Sequence, residues 1–236
     1  MLLDGVSIQG NYHGENQDSF RCAMLDHGFV AALSDGLGSR GDSKAGSEAA
    51  CASIVEIASE LGGGLAEIDP KKFACLVHAR WLEKLGGRDI TQCYATMLFF
   101  VLYEGRAFAA RLGDGFIGFW LDGSLDVLFD AKEDRYANET DCLTEELTIE
   151  SISVFEKDVM EVHGGVMCSD GIEFAEMTRD ELIRFTEAFV EGYQGMRRED
   201  VTAHIADWLR NWPGSDDKTL AFFIAGEERV DEEAAI

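Results

Sequence analysis

The chain has 236 residues and a formal net charge of −25, from 20 Lys and Arg against 45 Asp and Glu. That acid excess repels nucleic-acid phosphates and anionic lipid, so both are excluded as expected partners. With two prolines, no Ser/Gly linker and no internal repeat, the expected organisation is one domain over 1–226 and an acidic C-terminal tail at 227–236.

Six cysteines, at 22, 51, 75, 93, 142 and 168, form no Cys-x-x-Cys pair, and most lie in apolar runs. The N-terminal "MLLDGVSIQG" lacks a basic flank and an apolar stretch of signal length, and the longest apolar run, "YATMLFFVLY", is about half of a bilayer span. A reduced, cytoplasmic protein is the expectation.

In chain order, "FVAAL" (29–33) reads as a buried strand that ends on Ser34-Asp35-Gly36. Ala50, Ile54, Ile57, Ala58 and Leu61 then recur at helical spacing until "GGG" at 62–64. Asp69-Pro70 supplies an N-cap and a first-turn proline for a second helix striped by Phe73, Leu76, Val77 and Leu85. "ATMLFFVLY" and "RAFAARL" are joined by Glu104-Gly105 alone, which is hairpin length, and "FIGFW" and "LDVLF" flank Asp122-Gly123 in the same way. Past a poorly patterned 131–150 come strands "SISVF" and "GVMCS". A helix follows, opened by Thr178-x-x-Glu181 as a capping box and carrying Leu182, Phe185 and Phe189. Val201, Ile205, Trp208, Leu209 and Trp212 stripe the last helix, and "TLAFFIA" closes the chain as a strand. Runs such as "MLFFVL" are apolar on both faces, so the strands need cover on both sides. The fold class expected is α+β, a four-layer αββα sandwich of two mainly antiparallel sheets flanked by helices.

Several chemistries drop out. No Walker loop, no Gly-x-Ser-x-Gly elbow, no His-Glu-x-x-His and no cysteine with an arginine six positions on occurs, and the five histidines form no ligand-spaced pair. Gly36-x-Gly38-x-x-Gly41 imitates a dinucleotide loop, but a second helix follows where a parallel strand would be needed.

What remains is aspartate. Apolar runs end at Asp35, Asp114 and Asp170, Asp18 sits in "GENQDSF", and Asp216-Asp217 opens the final strand. Each alone reads as a turn or cap residue. If the strand tips converge, so many carboxylates cannot all stay ionised without cations, and oxygen-only ligands select Mg²⁺ or Mn²⁺. Two such ions suit hydrolysis of a phosphoester.

The motifs and their order resemble the metal-dependent protein phosphatase 2C family of serine/threonine phosphatases. "HGENQD" resembles its opening Arg-x-x-Asn-Glu-Asp element, "ALSDGLGS" its Asp-Gly-x-Gly, "ARLGDG" its Gly-Asp-Ser, "CSDGI" its Ser-Asp-Gly and "DDKT" its closing Asp-Asn-x-Thr. The resemblance implies hydrolysis of protein phosphoserine and phosphothreonine by a metal-bound hydroxide, with two Mg²⁺ or Mn²⁺ ions and room for a third. Asp35 would bridge the two metals, the Gly36 carbonyl would hold the second, and Asp170 and Asp216 would complete the first. Asp18 would contact metal-bound water, and Asp114 would serve the third ion. A phosphoprotein substrate and a cognate Ser/Thr kinase are the implied partners. His13 stands where many members carry a phosphate-binding arginine, Gln17 where many carry a metal-binding glutamate, and Asp217 where asparagine is usual; together they resemble a bacterial-type subgroup. His13 would donate to phosphate or to the leaving alkoxide. The segment between Phe129 and Ser151 would form the substrate-facing flap. A second reading keeps the fold and drops the chemistry, leaving a pseudophosphatase that binds phosphoproteins.

Overall fold

The structure is a computed structural model and describes residues 1–129, 141–172 and 177–226. The expected tail at 227–236 and part of the expected flap lie outside the described residues.

Strands β1 (Leu2–Ile8), β2 (Ser19–Leu25) and β3 (Gly28–Ser34) precede helices α1 (Ser43–Leu61) and α2 (Pro70–Lys84). Two hairpins follow, β4 (Met97–Tyr103) with β5 (Arg106–Leu112) and β6 (Phe116–Leu121) with β7 (Ser124–Leu128). Then come β8 (Ser153–Asp158), β9 (Val162–Cys168), α3 (Arg179–Tyr193), α4 (Arg198–Asn211) and β10 (Lys218–Ile224). The strands form two five-stranded sheets, ordered β1-β10-β9-β6-β7 and β2-β3-β4-β5-β8. Every strand pair in them is antiparallel.

The two-faced apolar strands explain the layering. In β4, Leu98 and Phe100 point between the sheets, where Phe100 stacks on Phe223 of β10 at 4.3 Å. Met97, Phe99 and Val101 point the other way, into a core with Ile54, Phe73, Val77 and Trp81 of α1 and α2. β10 divides likewise, with Ala221 and Phe223 inward and Leu220, Phe222 and Ile224 against Leu182, Val201, Ile205 and Leu209 of α3 and α4. Each such fully buried side chain contributes roughly 1.5–3 kcal/mol. The architecture is the expected helix, sheet, sheet, helix sandwich.

Local signals act as their chemistry dictates. The Asp69 side chain accepts the N–H groups of Lys71 and Lys72, both at 3.0 Å, and Thr178 with Glu181 closes a reciprocal capping box. Both two-residue turns adopt positive φ, at Glu104-Gly105 and Asp122-Gly123. Three details differ from the sequence reading. Leu76 is 42% exposed and is not part of the α2 stripe. "GGG" does not simply end α1 but continues as a 3₁₀ turn, Gly62–Ala66. β1 and β2 are added at the sheet edges, where Asp4-Gly5 and Arg21 interrupt the apolar pattern. After α1 the chain enters α2 and then the antiparallel β4, so Gly36-x-Gly38-x-x-Gly41 does not open a dinucleotide fold.

Candidate active site

The strand tips converge. β3 ends one residue before Asp35, β5 two before Asp114 and β9 two before Asp170, while Asp216 sits two ahead of β10. A cavity of about 140 Å³ at this end of the sandwich is lined by Asp35, Gly36, Leu37, Gly38, Thr96, Asp114, Asp170 and Asp216. Thr96 anchors its deepest strand end: the Asp35 N–H donates to Thr96 Oγ1 and the Thr96 N–H donates to the Asp35 carbonyl, each at 2.8 Å.

Asp18 does not line the cavity; it is 8% exposed and close enough to Asp35 for its charge to act on that carboxyl. Ser169 Oγ donates to Asp18 Oδ2 at 2.8 Å and itself accepts the Thr219 N–H at 3.0 Å. The Asp18 N–H donates to Asn16 Oδ1 at 2.9 Å, and Asn16 Nδ2 donates to Ser7 Oγ at 2.8 Å. Ser7 in turn shares a 2.6 Å hydrogen bond with the Thr219 hydroxyl. Ser169, Thr219, Thr96 and Asn16 thus position the acids. Three of them stand inside the quoted motifs "CSDGI", "DDKT" and "HGENQD", but short hydroxyl and amide side chains carry no ligand signal of their own.

Burial, then the charges of Asp18 and Asp170, hold the Asp35 carboxyl well above the ordinary carboxylate range. Burial raises Asp18 to about 7, opposed by hydrogen bonds from Asp35, Thr219 and Ser169. Such neighbours remain together by sharing protons, or by binding a cation that replaces them. Asp18 Oδ1 and Gln17 Oε1 are buried with no hydrogen-bond partner among the described residues. Among those residues, no three His, Cys, Asp or Glu side chains already surround one point as ligands. The donor set is all oxygen, orphaned in part and crowded with acids, which matches a hard divalent cation.

His13 and Gln17 meet at Gly38. A Cβ built on Gly38 would stand 2.5 Å from His13 Nε2 and 3.7 Å from Gln17 Oε1, so the missing side chain is what lets the imidazole reach the cavity wall. Gly36 is tight for another reason: a Cβ there would lie 2.7 Å from the Ser43 carbonyl and 2.9 Å from that of Gln17. Asp217, 4% exposed, turns away from the cavity residues and spends both oxygens on the backbone N–H groups of Gly10 and Gln17. The described part of the expected flap borders the site, since the Leu143 N–H donates to the Ala95 carbonyl at 2.8 Å and Ala95 bridges to Gly36.

No curated protein matches the sequence significantly. Solved structures do match the fold: the photosystem II phosphatase PBCP is 16% identical, with a TM-score of 0.68, over 95% of this chain and 98% of that one. The serine/threonine phosphatase Stp1 from Staphylococcus aureus is 11% identical, with a TM-score of 0.66, over 96% of both chains. The PPM Ser-Thr phosphatase MsPP from Mycobacterium smegmatis, solved in complex with cacodylate, is 18% identical, with a TM-score of 0.63, over 95% of this chain and 98% of that one. The family model described as Protein phosphatase 2C matches residues 13–210, which span the opening His13 motif, the Asp35 and Asp114 loops and Asp170. The chain therefore belongs to the Protein phosphatase 2C family.

Proposed function

We propose that this chain is an active Mg²⁺- or Mn²⁺-dependent phosphatase of protein phosphoserine and phosphothreonine. The observation that carries the reading is the convergence of Asp35, Asp114, Asp170 and Asp216 on one cavity, with the buried Asp18 and the raised carboxyl of Asp35 at it. Asp35, Asp170, Asp216 and the Gly36 carbonyl would hold two ions, and Asp114 a third. When bound, these ions supply Lewis acidity, which acidifies water and neutralises phosphoryl charge.

The chain's own residues do the rest. Asp18, held by Ser169, positions the Asp35 carboxylate, which faces the cavity and would take the proton of the attacking water. Water oxygen bonds to phosphorus as the serine or threonine ester bond breaks, and His13 supplies the proton for the leaving alkoxide. Thr96 and the close backbone packing at Gly36 fix the backbone that carries the Asp35 carboxylate. A phosphoprotein substrate, a cognate kinase and a cytoplasmic setting belong to this proposal, and six free cysteines accord with a reducing compartment.

Gln17 and His13 favour the second reading, a pseudophosphatase that binds phosphoproteins. Hydrolysis of p-nitrophenyl phosphate and of a phosphothreonine peptide, with Mn²⁺ and then with EDTA, separates the two. Turnover that needs Mn²⁺ supports the enzyme; peptide binding without turnover supports the binding module.

A further inference from the structure

We propose that Arg40 binds the substrate phosphoryl group, supplying from the loop after β3 the guanidinium that position 13 lacks. The inference rests on the proposed phosphatase reading and adds a substrate-binding residue to it.

The cavity lining carries four carboxylates and no Lys or Arg. A phosphate dianion entering it meets carboxylate repulsion wherever metal does not intervene, and His13 offers a single donor rather than a fork. The buried Arg111 is engaged with the carbonyl of Gly113. Arg40 differs. Its N–H donates to the Leu37 carbonyl at 2.8 Å, closing a tight turn whose Leu37 and Gly38 line the cavity. The Leu37 N–H donates to the Tyr94 carbonyl at 3.0 Å, and the Arg40 guanidinium lies 4.6 Å over the Tyr94 ring. Tyr94 is two residues from Thr96, on another wall.

The guanidinium is therefore held against the Tyr94 ring, next to the turn that supplies Leu37 and Gly38 to the cavity, and its terminal nitrogens would make the bidentate contact. Its Nε is buried and has no hydrogen-bond partner among the described residues. Burial and then the Arg40 charge act on the Cys142 thiol, which also feels Asp141 and Asp114, so Arg40 and one cavity-lining acid both act on one residue. A plain structural role would make Arg40 a staple, since the Tyr94 hydroxyl donates to Glu145 at 2.7 Å and so ties this corner to the segment after 141.

Arg40→Gln and Arg40→Lys distinguish these roles. At saturating Mn²⁺, both KM for p-nitrophenyl phosphate and the inhibition constant of inorganic phosphate should rise about tenfold in Arg40→Gln. Arg40→Lys should recover part of that loss, with melting temperature and Mn²⁺ affinity unchanged in both. Constants within twofold of wild type, or a loss confined to kcat with a lowered melting temperature, would overturn the proposal. Calorimetry of inorganic phosphate on the Mn²⁺-loaded protein separates this from failure of the phosphatase reading. A wild type that binds phosphate without turning over substrate, with binding about tenfold weaker in Arg40→Gln, sinks the enzyme but upholds Arg40. No phosphate binding by wild type overturns Arg40 as well.

Discussion

The Asp217 carboxylate accepts the backbone N–H of Gln17 at 2.6 Å and that of Gly10 at 2.8 Å, fastening the loop that bears His13 and Asp18 to the one that bears Asp216. A carboxylate presents acceptors on both oxygens, whereas an asparagine side chain presents one. Asp217→Asn leaves one of two buried N–H groups unpaired. It should lower unfolding free energy by about 1–3 kcal/mol in urea denaturation. Both contacts give the Asp217 carboxylate a structural role in holding these loops together.

Asp35→Asn and Asp170→Asn should each reduce kcat for p-nitrophenyl phosphate by about 100-fold or more, because each removes a charge that would face the ions and the reacting phosphate. The metal-free fold should survive both changes. At Asp35 it should gain stability near neutral pH, because the amide needs no proton to remain buried. Thermal melts in EDTA, beside the rate assay, check both halves.

The raised carboxyls of Asp18 and Asp35 set a pH dependence with a definite sign. Their folded values exceed the unfolded one near 4, so the native state holds more protons across that window. Stability of the metal-free protein should be greatest in mild acid and fall as pH rises from about 4 to the Asp18 value of about 7, at up to roughly 1.4 kcal/mol per pH unit, with Asp35 adding a fall of the same sign. Mn²⁺ binds the deprotonated form and should restore stability most at the alkaline end. Denaturation at pH 5 and pH 8, with and without Mn²⁺, measures both effects.

Gly171 follows Asp170, and a Cβ there would overlap the Asp217 carbonyl and approach the Asp216 Cβ at 3.5 Å. Gly171→Ala must separate the two loops that carry Asp170 and Asp216. We expect a loss of about 1–3 kcal/mol in stability and a Mn²⁺ affinity lowered about tenfold. Urea denaturation and metal titration of the variant test this.

Much of this was legible in the sequence because it follows from periodicity and turn chemistry. Apolar runs such as "MLFFVL" had to be covered on both faces, and Glu104-Gly105 left room only for a hairpin. The aspartates at strand tips were legible because a charge after a buried run is unusual, and Asp35, Asp114, Asp170 and Asp216 do line one cavity. Which acid stands in front was not legible. Asp18 is held beside Asp35 by Ser169 and Thr219, contacts across more than 150 residues of chain that no local pattern encodes. The glycines after Asp35 and Asp170 admit backbone carbonyls of neighbouring loops, those of Ser43 and Gln17 at Gly36 and of Asp217 at Gly171, and which loops these are was not legible. The same holds for Arg40, whose stacking on Tyr94 depends on two loops meeting.

Everything proposed for this site requires that the acids at the strand tips form a divalent-cation site. Calorimetric titration of Mn²⁺ into the metal-free wild type and into Asp35→Asn, in buffers of different ionisation enthalpy, tests it most directly. Wild type should bind saturably with proton release, and Asp35→Asn should lose both. Equal binding to the two proteins, or none to a folded wild type, would contradict it.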